Sequence, residues 1–261
     1  MKKIKPNVPC PCGSKKKYKK CCAGKKNIPV SKAPGKPVDN TYLLKKLDEA
    51  ILSGYLNQKE NDNISACISW KKAWGLLKGV FPLEVQAIDQ VEEKLNFRFT
   101  EFLVNWLQDF EMALDIAGKK EKEFYQFRID FCHEFCMLFP QSDRLMVHNM
   151  KKAAAESFFA LGKVEEGEKE FQFLIKVFPD SAWAYIGWGD MYYLCRMNDE
   201  LPFNYEKAKS IYEKALTVEV DDRDAVQERL EMLEEGRNNQ KTLDADDLYG
   251  LKYDERKQVL S

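Results

Sequence analysis

Histidine is scarce in this chain of 261 residues, where only His133 and His148 occur. No P-loop, dinucleotide fingerprint, zinc-protease helix motif or Gly-x-Ser-x-Gly elbow is present. Nothing in the sequence therefore names a reaction, and the expectation is that the protein is not an enzyme. A run of about 18 apolar residues is also missing, as is an apolar signal-peptide core near the start. These absences predict no transmembrane segment and a cytoplasmic protein. From Asn40 onward no convincing apolar–polar alternation marks a strand. Residues 1–38 lack acidic side chains altogether.

That last absence exposes a division of charge. The net charge is −1, yet residues 1–38 hold twelve lysines and the remainder carries 29 basic against 42 acidic residues. A cationic head on an acidic body favours partners with phosphate backbones, acidic proteins or anionic lipid, in a salt-dependent way. The competing explanation is that the lysines only keep a small tail soluble. A third is that the head folds back on its own acidic body.

What the head does have is cysteine. Four of the eight cysteines lie in Pro9-Cys10-Pro11-Cys12-Gly13-Ser14 and the following Lys15-Lys16-Lys17-Tyr18-Lys19-Lys20-Cys21-Cys22. A structural zinc site wants four soft ligands brought together by a tight turn, at about 2.3 Å from the ion. Cys10 and Cys12 supply one pair and Cys21 and Cys22 the other, with Gly13-Ser14 as the turn between them. The neighbouring lysines favour the thiolate form. Two other readings compete: disulfides, which are rare in a cytosolic chain, and a lysine tail with incidental cysteines. The tight clustering favours the metal. Tetrathiolate sites also hold iron, so the metal is zinc or iron.

With those residues in view, the segment closely resembles the SEC-C motif, the small metal-binding module at the C-terminus of the SecA translocase ATPase. The resemblance implies Cys10, Cys12, Cys21 and Cys22 as the metal ligands. It also implies that Asn7, Ser14, Lys16, Tyr18 and Lys19 shape the module and its partner-facing surface. With their neighbours, Lys16, Lys17, Tyr18, Lys19 and Lys20 are the candidate partner-binding residues. The chain departs from the family at Lys15, where glycine is usual. Four protein sulfurs leave no open coordination position, so the metal is expected to be structural.

Residues 25–39, with Pro29, Pro34 and Pro37 and little to bury, read as a basic linker. Beyond it the apolar period is helical. Leu44, Leu47, Ile51 and Tyr55 mark one stripe. Ile64, Cys67, Ile68, Trp74 and Leu77 mark a second, and Ile88, Val91 and Leu95 a third. Phe99, Phe102, Leu103, Trp106, Leu107, Phe110 and Leu114 form the clearest, followed by Phe124, Phe127, Phe131, Phe135 and Leu138.

An internal echo follows. Leu138-Phe139-Pro140-Gln141-Ser142 returns as Val177-Phe178-Pro179-Asp180-Ser181, each ending a helix at a turn. Residues 148–220 resemble tetratricopeptide helix pairs, through Phe158, Phe171, Leu174 and Pro179, through Trp188-Gly189-x-x-Tyr192, and through Ala208-x-x-x-Tyr212-x-x-Ala215. Small Gly189, Ala208 and Ala215 let helices approach, with Phe158, Tyr192 and Tyr212 filling the gaps. Gly167 stands where that family usually has alanine, and 198–204 reads as an insertion. Asp224–Glu235 reads as an acidic capping helix.

The expected organisation is therefore all-α: a zinc knuckle at 1–24, the linker at 25–39, a helical region at 40–97, helical-hairpin repeats at 98–236 and an acidic tail at 237–261. Cys132 and Cys136 share a helical face beside His133, but no second ligand pair accompanies them, so they read as core. Glu165, Glu166, Glu168 and Glu170 read as solvated. The expected function is a metal-dependent adaptor with a repeat groove. The SEC-C resemblance points to a bacterial export chaperone, the ribosome or a nascent chain as partner. The alternative is RNA or ribosome binding through the lysine-rich knuckle.

Overall fold

A computed structural model describes residues 40–194 and 203–242, with side chains through residue 236. The chain divides into two units, Met1–Asn40 and Thr41–Ser261. The described residues are all-helical, as the apolar periods predict, and contain no strand. Ten α-helices run in order: α1 (Thr41–Lys59), α2 (Asn63–Val80), α3 (Val91–Leu95), α4 (Leu103–Gly118), α5 (Glu123–Leu138), α6 (Arg144–Ala160), α7 (Val164–Val177), α8 (Ala182–Tyr193), α9 (Tyr205–Leu216) and α10 (Arg223–Thr242).

Local chemistry explains where these helices begin and end. The Asp62 carboxylate accepts the Ser65 N–H at 3.0 Å and starts α2, while Asn61 turns the chain with φ 59. Asp143 caps α6 through the N–H groups of Leu145 and Met146, and Asn204 caps α9 through Lys207 N–H. Asparagine and aspartate suit these places because a short acceptor satisfies helix N–H groups that have no partner within the helix. The α6–α7 turn passes through Gly162 at φ 74, a region that side chains disfavour.

The echoed pentapeptides form the same joint twice. Phe139 N–H bonds Phe135 O and Phe178 N–H bonds Leu174 O, both at 2.8 Å. Ser142 N–H then reaches Phe139 O, and Ser181 N–H reaches Phe178 O, both at 3.2 Å. The two phenylalanines share nearly the same backbone angles, φ −124, ψ 54 and φ −125, ψ 67. Their rings point into the core, which is why a phenylalanine recurs at that place.

Helix pairs close on large–small contacts. In α1–α2 the Trp70 indole covers Gly54 and donates to Ile51 O at 2.9 Å. A methyl on Gly54 would stand 2.0 Å from that ring. In α8–α9 the same role falls to Gly189 beneath Tyr212, with 2.2 Å available. The Tyr212 hydroxyl then donates to Asp190 at 2.6 Å. Gly167 is explained likewise: the Phe159 ring fills the space that an alanine methyl would need.

One apolar core runs from Leu44 to Leu233. Its aromatic spine passes from Tyr55 to Trp70, Phe110, Phe131, Trp74 and Phe139, each ring 4.8–6.5 Å from the next. This spine joins the first helix pair to α4 and α5. Farther along, α4 touches α6, α6 touches α8 and α8 touches α10, so alternate helices share one face of the body.

Two apolar assignments made from periodicity and one made from the tetratricopeptide resemblance are corrected. Ile68 is 60 % exposed, and the buried indole of Trp70 holds the α2 core instead. Phe102 is 69 % exposed because α4 begins one residue later, at Leu103, and the chain there is still extended. The aromatic packed between α6, α7 and α8 is Phe159, against Phe171 and Tyr192, whereas Phe158 is half-buried near His133.

Candidate functional site

The predicted metal ligands Cys10, Cys12, Cys21 and Cys22 lie outside the described residues, as do Lys16, Lys17, Tyr18, Lys19 and Lys20. Among the described residues no three His, Cys, Asp or Glu side chains form a group suited to a metal ion. Cys132 is fully buried with its sulfur 3.8 Å from the Met150 sulfur, and burial drives its thiol pKa well up. Cys136 faces Val147 O at 3.9 Å, and the His133 ring pairs with Glu170 at 3.3 Å. The three residues point to different partners, with Cys132 buried in the core, Cys136 half-buried and His133 exposed. Cys67 is also an inert core thiol, its pKa pushed up to about 12 by burial.

Under α4, α5 and α6 lies a buried ion cluster that the sequence did not announce. Arg128 on α5 donates from Nε to Glu111 at 2.6 Å, from Nη1 to Ser157 at 3.1 Å and from Nη2 to Glu156 at 3.4 Å. Asp115 stands 3.4 Å from Nη1. Burial opposes the guanidinium charge, but Glu111, Glu156 and Asp115 together overcome it and raise its pKa. Glu111 is pushed up by burial, against the pull of Arg128. Lys152 completes the cluster by pairing with Glu156.

Glu168 also differs from its solvated reading. Its carboxylate accepts Trp188 Nε1–H at 2.7 Å, the Tyr192 hydroxyl and Lys207 at 3.1 Å, tying α7 to α8 and α9. Burial works against its ionisation, and these three donors together prevail, so its pKa falls. Glu170 is likewise half-buried, while Glu165 and Glu166 are exposed as expected.

A cavity of about 570 Å³ opens between α6, α8 and the turn before α10. Leu145, Asn149 and Lys152 come from successive turns of α6, Trp183 from the first turn of α8, and Asp221 and Asp222 from the turn. Asp221 accepts Ala182 N–H at 2.7 Å, and Asp222 accepts the Trp183 indole N–H at 2.8 Å. Asp221 N–H also bonds Asp180 O at 2.8 Å, which pins the turn to the joint before α8. Lys152 crosses to α8 over Gly187, where an added methyl would lie 3.1 Å from its stem.

At the back of this cavity His148 is 3 % exposed, its ring edge-on to Phe178. Its two nitrogens lie 3.2 Å from Asn149 Oδ1 and 3.1 Å from Ser181 Oγ. Burial lowers its pKa, Asn149 pulls the other way, and the nearby charges of Lys152 and Arg144 lower it further. The unfolded chain therefore takes up a proton near pH 6.5 that the folded chain refuses. Stability should be flat above that pH and decline as pH drops through it, by at most about 1.4 kcal/mol per pH unit. The decline ends below the folded pKa. Urea titrations from neutral to mildly acid pH should show a shallower decline for His148→Gln. An identical slope for the two proteins would exclude the role of His148.

Comparison with known proteins bears on the knuckle. The SEC-C motif matches residues 7–24, which include all four candidate ligand cysteines. "Uncharacterized protein YccF" of Bacillus subtilis (strain 168) is 72% identical over 25 residues, which is 10% of this chain and 7% of that protein. The likeness thus covers a small part of either chain. No solved structure matches. No described helix is long and apolar enough to cross a membrane.

Proposed function

We propose that this protein is a metal-dependent adaptor in which the SEC-C segment grips one partner and the helical body another. The match of residues 7–24 to the SEC-C motif is the observation that carries the reading. The motif suggests metal binding and interaction with protein. The donor set fits a structural zinc ion, since Cys10, Cys12, Cys21 and Cys22 offer four thiolates and no position for a reacting water. The ion's contribution when bound is to hold the segment's shape. Lys16, Lys17, Tyr18, Lys19 and Lys20 then supply positive charge and an aromatic ring to the partner.

Several features support the second half of the reading. Alternate helices touch along the body, and the cavity lies between two of them, α6 and α8. The helix pairs, with their large–small contacts and repeated joint, support a tetratricopeptide-like assignment for residues 148–220. Joining two modest binding surfaces in one chain raises overall avidity through effective concentration. We assign no reaction to the protein. We place its partners in the cytoplasm, at the export machinery or the ribosome.

The test is capture from a bacterial lysate by the intact chain and by a chain lacking residues 1–38, with bound proteins and RNA identified. Proteins lost on truncation belong to the knuckle, and those retained belong to the body. Bound RNA that disappears on truncation, with no protein loss, favours RNA binding by the lysine head. Identical capture by both chains would overturn the role given to the SEC-C segment.

A further inference from the structure

We infer that the groove between α6 and α8 binds an extended basic peptide, with one lysine or arginine side chain seated against Trp183 beside Asp221 and Asp222. This rests on the reading of the body as a partner surface and adds the chemistry of its ligand.

The cavity is large enough for a long side chain and its neighbours, at about 570 Å³. Trp183 and Leu145 line it and are 46 % and 65 % exposed, an unusual allowance for large apolar groups facing one opening. The nature of the occupant follows from charge. Both cations of the lining are already engaged: Arg144 pairs with Asp180 and lies over the Phe178 ring, and Lys152 pairs with Glu156. The three acids of the lining have no cationic partner among the described residues. Asp143 accepts backbone N–H groups of α6, Asp221 accepts one from α8, and Asp222 accepts the Trp183 indole.

Neutral donors satisfy an oxygen lone pair without cancelling its charge. The helix ends behind Asp143 and Asp221 offset about half a charge each, which leaves the groove negative. An aromatic face beside uncompensated carboxylates suits an alkylammonium or guanidinium group, which stacks on the ring and pairs with the acids. The same field rejects an acidic segment, so Asp244, Asp246 and Asp247 of this chain's own tail make it an unsuitable occupant. Deeper along the face, Asp190 pairs with Arg229 and accepts from Tyr212, so its charge is met from within. Selectivity is thereby concentrated at the Trp183 end.

Fluorescence anisotropy on the intact chain tests this with three labelled decapeptides, alternating alanine with lysine, serine or glutamate. The lysine peptide should bind, and Asp221→Asn/Asp222→Asn should weaken it about tenfold or more. Asparagine keeps one acceptor oxygen, which is all that Ala182 N–H or the Trp183 indole requires, so the thermal melt should move little. Trp183→Leu should also weaken the lysine peptide. Lysine-peptide binding that is absent, or equal in the wild type and the double variant, overturns the proposal. If Trp183→Leu weakens the serine or glutamate peptide instead, the groove stands and its basic preference falls. If no peptide responds to either substitution, the groove reading falls with it.

Discussion

Arg128→Met should lower the unfolding free energy by about 3–5 kcal/mol at neutral pH. Total stabilities of about 5–15 kcal/mol are usual, so this one change puts the fold at risk. The reason is the company left behind. Glu111, Glu156 and Asp115 surround a guanidinium whose side chain is only 6 % exposed. Without Arg128 the carboxylates face one another in a poorly solvated place, with Lys152 and Lys119 as the remaining cations.

The pH dependence distinguishes this account from simple loss of packing. In the variant the buried carboxylates bind protons more readily than in the unfolded chain. A carboxylate whose folded pKa is raised costs stability above its unfolded pKa and ceases to cost it once protonated. The deficit should therefore narrow as pH falls from about 7 toward about 4. Urea denaturation of both proteins across that range measures it. A deficit below about 1 kcal/mol, or one that does not change with pH, would show that the cluster is not electrostatically coupled.

The second large effect is expected at the knuckle. Cys21→Ser/Cys22→Ser should reduce bound metal from one ion per chain to none, measured by elemental analysis of purified protein. Two sulfurs cannot hold a structural zinc ion that needs four. Zinc is the expected element, and a coloured iron-loaded protein would revise that identity. The helical signal and thermal transition of the body should not change, because its core is built from residues between Leu44 and Leu233. Metal retained by the double variant would falsify the ligand assignment. Loss of helicity along with the metal would instead show that the body depends on it.

Much of this architecture was legible because helices write their period into the chain. The stripe from Leu103 to Leu114 and that from Phe124 to Phe135 became α4 and α5, and the Phe-Pro echo became a joint with the same hydrogen bonds at both places. The SEC-C segment was legible for another reason: its pattern is written within a few consecutive residues, and the motif matches residues 7–24. Failures occurred where one residue of helical phase matters, as in Phe158 against Phe159 or Ile68 against Cys67. An apolar stripe wide enough to bury a helix admits either neighbour at its edge.

Polar partners were harder still. Glu168 and Arg128 meet groups 20–39 and 13–29 residues away. Nothing in a local window distinguishes such side chains from solvated ones. Asp221 and Asp222 similarly look like ordinary turn residues until α8 is seen to offer them Ala182 N–H and the Trp183 indole. A tryptophan at the start of a predicted helix, echoed by a later Asp-Asp turn, is the signal that was available.

The paired joints at Phe139 and Phe178 have a consequence for how this body can change size. Each takes in a helix and releases the next through the same hydrogen bonds and nearly the same dihedrals. The stretch from one to the other therefore behaves as a cassette with matching couplings at its two ends. Copying it in tandem would add two helices while reusing a junction already proven in the chain. The growing stack would extend the face shared by alternate helices by one unit, leaving the outer joints as they were. Length in such a protein is a matter of counting cassettes, with no new turn to invent.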